Sequence, residues 1–509
     1  MTSAVASTRF RDHPPGLTYL FFAELWERFS FYGLRALLVF YVTSEFLYSQ
    51  QQAFGILATY MALVYATPII GGYLADRILG DRKAIIIGGI MIAMGHLFLA
   101  MPGETFFYIG LAFVVTGTGL FKANVSALLG KLYAHGDYRR DAGFTIYYMG
   151  INIGGLLAPL VCGTVGEYYG WHYGFGLAAI GMIVGLLFFF RGLPTLDNHG
   201  LPPKASPLRE KVMLGLTWEM AVYLLAFVSI PLFAFLIKSH GVVIYYGEYG
   251  IEIFSLILII VEVVVFGYML YLSAFMEKED RKSIRTILVL MIFYATFFAM
   301  LEQAGSSINF FSKLQVDRYI FGYEIAASNF LSLNPFFILL LGPIIAHIWI
   351  ALGRRGLEPY TPFKFFLGLF PTALGFVVLV ASTYFPGENG LVSLWWVVLA
   401  YALHSLGELC ISPVGLSMVT RIAPPQMTGA LMGVLFLSVA WGNHLAGIMA
   451  KLSSTDDHIG ETAVNLLTYR DAFSYIAYIG LGVSLVMLIL SPFLNGAFKR
   501  EEKMKGYNE

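Results

Sequence analysis

The chain has 509 residues, of which 58% are hydrophobic and only 13% charged. Soluble domains are nearer half apolar and a quarter charged, so the composition marks an integral membrane protein. The 32 basic and 32 acidic residues balance, which argues against a nucleic-acid partner, and the two cysteines, Cys162 and Cys410, lie in separate apolar stretches and exclude a disulfide framework.

Residues 1–16 are polar, with Arg9, Arg11 and Asp12, and read as a cytoplasmic N-terminus with no cleavable signal. Beyond them, runs of about 20 apolar residues each predict a spanning helix. The first six lie near 17–47, 53–75, 83–101, 104–132, 138–166 and 172–191, and two more near 214–238 and 251–276. The last six lie near 284–311, 324–352, 361–382, 391–421, 425–450 and 469–495. These 14 transmembrane helices define an all-α membrane protein. Residues 17–191 are expected to form an N-terminal six-helix bundle and 284–495 a C-terminal one. Between them lie a proline-bearing cytoplasmic linker (192–213), an inserted helical pair (214–276) and a cytoplasmic loop (277–283). Residues 496–509 read as a cytoplasmic tail. Of the 32 Lys and Arg, 24 fall on the side of the termini, 5 on the other and 3 within spans. That asymmetry predicts cytoplasmic termini.

The three bases within spans are Arg28, Arg35 and Lys122; four carboxylates, Glu24, Glu27, Glu302 and Glu408, are placed to answer them. A charge at the bilayer centre costs roughly 2.5–3.5 kcal/mol, so seven unpaired ones would cost on the order of 20 kcal/mol. They are expected to meet in a polar cavity. In the first span Glu24, Arg28, Tyr32 and Arg35 share one stripe, with Glu27 beside it, and Glu24 and Arg28 form an i,i+4 pair. A self-paired stripe that only tightens helix packing is the plainer alternative.

Lys122 and Glu408 occupy matching helices of the two expected bundles and offer opposite charges to a substrate that carries both. Three bases against four acids leave one negative charge, which a single proton would cancel; this is the minimum for proton coupling. Tyr32, Tyr65, Asn152, Asn334 and Trp441 add amides and large amphipathic rings. Asn334-Pro335, Pro343, Ser412-Pro413 and the glycines near Gly154 are expected to mark bends. His404 is expected to be a hydrogen-bonded structural residue. Glu104, Glu219, Glu252, Glu262 and Glu324 read as interfacial or peripheral.

The loop Gly71-Gly72-Tyr73-Leu74-Ala75-Asp76-Arg77, continuing to Gly80-Asp81-Arg82-Lys83, resembles the Gly-x-x-x-Asp-Arg…Arg-Lys signature of the major facilitator superfamily. Gly353–Gly356 is a partial echo of it in the second bundle. More specifically, Glu24-Leu25-Trp26-Glu27-Arg28-Phe29-Ser30-Phe31-Tyr32-Gly33 resembles the Glu-x-x-Glu-Arg-Phe-x-x-Tyr-Gly signature of the proton-dependent oligopeptide transporter family. Gly119-Leu120-Phe121-Lys122, Phe144–Asn152, Glu302–Ser306 and Glu408–Pro413 extend the resemblance over nearly the whole chain.

The resemblance implies a major facilitator fold that imports di- and tripeptides by symport with protons. No cofactor is implied beyond the proton as coupling ion. Glu24, Glu27 and Arg28 correspond to the proton-coupling cluster, with Glu302 joining it as a gating partner of Arg35. Arg35 and Lys122 correspond to binders of the peptide carboxylate, and Glu408, Asn152 and Asn334 to its amino-terminal site. Tyr32, Tyr65 and Trp441 would line side-chain pockets.

Two residues depart from the pattern: Ala123 stands where many relatives have proline, and Phe31 where many have tyrosine. Residues 60–68 hold no histidine of the kind animal members use there, and the loop between Ser382 and Gly390 is short, so the chain looks bacterial. The expectation is a monomer in the bacterial inner membrane, with the bilayer, peptides and protons as its partners. A relative carrying nitrate or a conjugated metabolite is the alternative. A membrane-embedded enzyme is poorly supported, and an ion channel, as a third class, predicts flux near diffusion rates and no counterflow.

Overall fold

The computed structural model describes residues 12–134, 137, 139–203, 206–212, 215–239, 243–246, 249–424, 427–454 and 466–498. Arg9, Arg11 and the expected tail beyond Phe498 lie outside the described residues. The chain is built from long helices, α1 (Gly16–Glu45), α2 (Gln50–Leu79), α3 (Asp81–Leu99), α4 (Glu104–Lys131), α5 (Arg140–Tyr169) and α6 (Trp171–Leu196). Then follow α7 (Trp218–Lys238) and α8 (Ile253–Ala274). The rest are α9 (Lys278–Leu314), α10 (Ala327–Arg354), α11 (Thr361–Ser382), α12 (Leu394–Ile422), α13 (Thr428–Ser453) and α14 (Leu466–Ala497).

Thirteen of these are long and apolar enough to cross a membrane. The exception is α1, whose 30 residues carry Glu24, Glu27, Arg28, Arg35 and Glu45. In α1 four ions, Glu24, Glu27, Arg28 and Arg35, are buried among apolar neighbours. Among the described residues, short strands occur only in connections, as in the hairpin that pairs Val243–Tyr246 with Tyr249–Glu252.

Among the described residues the chain divides into two compact units. One comprises the residues up to Tyr41 with Leu63–Lys238, the other Val42–Ala62 with the residues from Ser239 onward. The same packing scheme operates inside each. In the first, α3 lies along α4 and also packs on α6; in the second, α11 lies along α12 and on α14. Small residues permit this closeness, as they do wherever membrane helices have only van der Waals contact to hold them. A Cβ on Gly117 would lie 2.6 Å from the Gly88 carbonyl oxygen, and one on Gly407 would lie 2.4 Å from that of Gly368. Gly154 of α5 meets the Leu25 carbonyl of α1 in the same way, at 2.3 Å, and Gly442 of α13 meets the Ala295 carbonyl of α9 at 2.6 Å.

Gly154 therefore marks a close contact, shortly before the π-helical turn at Pro159–Gly163. Pro343 and Pro413 lie inside continuous helix. The hydrogen-bonding pitch changes at Ala75–Leu79 in α2 and Pro159–Gly163 in α5, both π-helical turns, and at Glu302–Gly305, a 3-10 turn in α9. It also changes in α10, where the 3-10 turn Ala327–Ser332 gives way to α-helix just before Asn334-Pro335, as expected there.

The linker after α6 is docked on the first unit. Arg82 donates to the carbonyls of Asp197 and His199, both at 2.6 Å, and the Ser206 hydroxyl donates to the Ile78 carbonyl at 2.7 Å. Gly80 joins α2 to α3 at φ +74°, a conformation L side chains rarely adopt. A Cβ there would also strike the linker backbone, 2.6 Å from the Leu201 carbonyl carbon.

The inserted helices divide between the units. α7 is tied to the first by ion pairs at both ends, Lys83 with Glu219 and Lys238 with Glu104 at 2.9 Å. Mid-span, Thr116 Oγ1 and Ser229 Oγ lie 3.1 Å apart. α8 is tied to the second unit by an ion pair of Glu252 with Lys451. Glu324 pairs with Arg318 at 2.5 Å, whereas Glu262, half-buried on α8, has one carboxylate oxygen with no hydrogen-bond partner among the described residues.

Candidate functional site

The first unit gathers a buried ionic cluster on α1. Glu24, Glu27 and Arg28 are 2%, 1% and 3% exposed. Arg28 Nε lies 3.1 Å from Glu24 Oε1 and donates to Glu27 Oε2, so one guanidinium serves both acids. The helical repeat places residues 24 and 28 within reach of each other, and the long guanidinium side chain also reaches the carboxylate of Glu27. Glu24 Oε2 and Glu27 Oε1 are buried without a hydrogen-bond partner among the described residues. The guanidinium also lies 5.0 Å from the Phe31 ring centroid.

The neighbouring helices complete the site. Gly119 lets α4 approach Thr67 of α2, whose hydroxyl donates to the Val115 carbonyl at 3.1 Å. One turn on, the Lys122 ammonium sits 3.8 Å from the centroid of the Tyr65 ring, a cation–π contact that partly replaces its lost hydration. Sequence reasoning missed Tyr147 of α5, which lies beside the Glu24 carboxylate, its hydroxyl 3.4 Å from that of Ser126 on α4. Arg35 is buried further along α1, with Tyr32 half-buried between it and Arg28. Asn152 is buried on α5 and donates to the carbonyl of Tyr148, one turn back on its own helix.

The second unit brings Asn334 and Glu408 together. Asn334 Nδ2 donates to Glu408 Oε2 at 2.8 Å and to Ser405 Oγ at 3.2 Å, while Ser405 Oγ donates to the Asn334 carbonyl at 3.3 Å. This interlock joins α10 to α12 and aims the carboxylate. Tyr294 of α9, also missed, is buried within electrostatic range of Glu408, and Gly415 provides the space for its ring.

Glu302 lies apart from that pair, at the break in α9. With Ser306 and Asn443 it lines a recess with about 10 Å³ of room for water, near what one molecule needs. The break is braced by Gln303, which donates to the Ala446 carbonyl at 2.9 Å and accepts from Ser307 at 2.6 Å. Trp441 is half-buried on α13 and stacked on His444. His404 is buried in a packing role, close to the Thr372 backbone of α11. Its ring packs 4.9 Å from that of Phe376.

Arg35 and Lys122 belong to the first unit, and Glu302 and Glu408 to the second. Among the described residues, no group of three or more His, Cys, Asp or Glu is disposed to hold a metal ion.

Apolar helices in two units of matching internal packing, each with ions and amides buried at mid-span, define a multi-pass membrane transporter of the major facilitator fold. A family model described as PTR2, the POT family, matches residues 82–465. The chain belongs to the POT family. It is 37% identical over 97% of its length to the "Uncharacterized transporter YclF" of Bacillus subtilis, with 97% of that protein covered. It is 36% identical to the "Peptide transporter YePEPT" of Yersinia enterocolitica, with 96% of each covered. Its fold is similar to a solved "peptide transporter POT in complex with sulfate", with TM-score 0.81, 35% identity and 96% of each chain covered.

Proposed function

We propose that this protein is a proton-coupled symporter that imports di- and tripeptides by alternating access. The observation that carries the reading is the buried Glu24–Arg28–Glu27 cluster, with one base between two acids. With one carboxylate protonated, Arg28 neutralises the other and the cluster carries no net charge; release of that proton leaves two carboxylates sharing one guanidinium, so each proton loaded or released changes the buried charge by one. Glu302, at the break in α9, is the second coupling group.

Arg35 and Lys122 bind the peptide carboxylate; Glu408, held by Asn334, binds the amino terminus together with Asn152. Tyr32, Tyr65 and Trp441 line the side-chain pockets. The names of YePEPT and of the "Dipeptide and tripeptide permease B" of Salmonella typhimurium, 34% identical, support peptides as the substrate. The proton is the coupling ion and no cofactor is required. The matched bacterial relatives and the clustering of Lys and Arg on one side favour a place in the bacterial inner membrane with both termini cytoplasmic.

The test is uptake of a labelled dipeptide into liposomes with and without an inward proton gradient. Wild-type protein should concentrate peptide only with the gradient. Glu27→Gln and Glu302→Gln should keep peptide exchange but lose gradient-driven accumulation. Normal accumulation by both would remove these residues from the coupling role.

A further inference from the structure

The inserted helix α8 makes contacts that lead to one of the proposed peptide-lining residues. Glu252 precedes the helix in an extended conformation and pairs with Lys451 at the end of α13. Acid stands at one helix N-terminus and base at the other's C-terminus, each where the backbone dipole favours it. One turn in, Ser255 Oγ lies 2.7 Å from His444 Nε2. The Phe254 ring meets the same imidazole edge-on, with centroids 5.4 Å apart. His444 is 2% exposed and follows Trp441 by three residues, on the same face of α13. Its ring is stacked on the indole, with centroids 5.8 Å apart and planes 29° apart.

We propose that α8 fixes the attitude of the Trp441 indole through His444, and so helps decide which peptide side chains the protein accepts. Ser255, Phe254 and His444 are positioning residues in this scheme. An imidazole hydrogen-bonded at Nε2 and closed in by Phe254 has one ring orientation open to it. An indole stacked on that imidazole loses the stack if it turns. The bulk left for a peptide side chain is then set from outside the bundle helices. The inference rests on the proposed lining role of Trp441.

The test uses the full-length protein in liposomes under a proton gradient, comparing KM for a dipeptide with a small side chain and one with an aromatic side chain. Trp441→Phe should change the ratio of the two KM values. Ser255→Ala and Phe254→Ala should each change it by about threefold to tenfold, the range of one buried hydrogen bond or aromatic contact, with turnover of the small dipeptide kept. Ser255→Thr, which keeps the hydroxyl, should restore it. If Ser255→Ala and Phe254→Ala lower thermal stability and the turnover of both peptides but leave the ratio as in wild type, the contacts are only structural and the inference is overturned. If Trp441→Phe moves the ratio and those two do not, the inference alone fails. If Trp441→Phe leaves it unchanged, the lining role fails and the inference goes with it.

Discussion

Arg28 and Asn334 do similar work by different means, each holding a carboxylate that membrane burial would otherwise penalise. Arg28 supplies charge to two acids on its own helix. Asn334 supplies a directed hydrogen bond to Glu408 from a different helix, and is itself locked by Ser405. Replacing Asn334 by alanine removes one hydrogen bond to a charged group, about 1.5–3 kcal/mol or roughly tenfold to a hundredfold in affinity. The expected outcome is a raised KM for dipeptides with a free amino terminus and little change for N-acetylated ones, measured by competition for uptake.

The stripe on α1 was legible because residues 24, 27 and 28 are local in sequence and charged amid apolar neighbours. Tyr147 and Tyr294 were not. Each comes from a distant helix and looks like any interfacial tyrosine until its neighbours are placed. His444 carried a weak signal, three residues after Trp441, but its hydrogen bond depends on Ser255, 189 residues earlier.

Helix ends followed the apolar runs closely: the expected 104–132 is Glu104–Lys131, and 361–382 is Thr361–Ser382. Breaks were legible in part: the change from 3-10 to α-helix in α10 falls beside Asn334-Pro335, while Pro343 and Pro413 lie within continuous α-helix, where proline is tolerated if neighbouring helices satisfy the freed carbonyl. The break in α9 instead falls at Glu302, where Gln303 and Ser307 take over the hydrogen bonding. Glycine is the better guide to contacts between helices. Gly154→Ala would place a methyl against the Leu25 carbonyl of the ion-bearing helix. It should lower stability by about 1–3 kcal/mol, as overpacking does. Gly482→Ala, where nothing lies within 4 Å, should be neutral or slightly stabilising. Thermal unfolding of the two variants in one detergent would make the comparison.

At the scale of the molecule, duplication was hinted at by one loop echo and is visible in the paired helix contacts within each unit. The destination of α7 and α8 was not readable, because an apolar span says only that it lies in lipid. Nor was the docking of the linker, whose prolines suggest a loose tether. It is fastened by Arg82, Ser206 and the bare backbone at Gly80, and α7 beyond it is clamped to α3 and α4.

A practical corollary concerns where this polypeptide can be severed. Dividing the gene inside the proline-rich stretch would strand α7 from the partner surface it needs. Dividing it just after Ser239 would leave the linker and α7 fastened to the front half. Two co-expressed halves made by the second cut should therefore reconstitute uptake better than two made by the first.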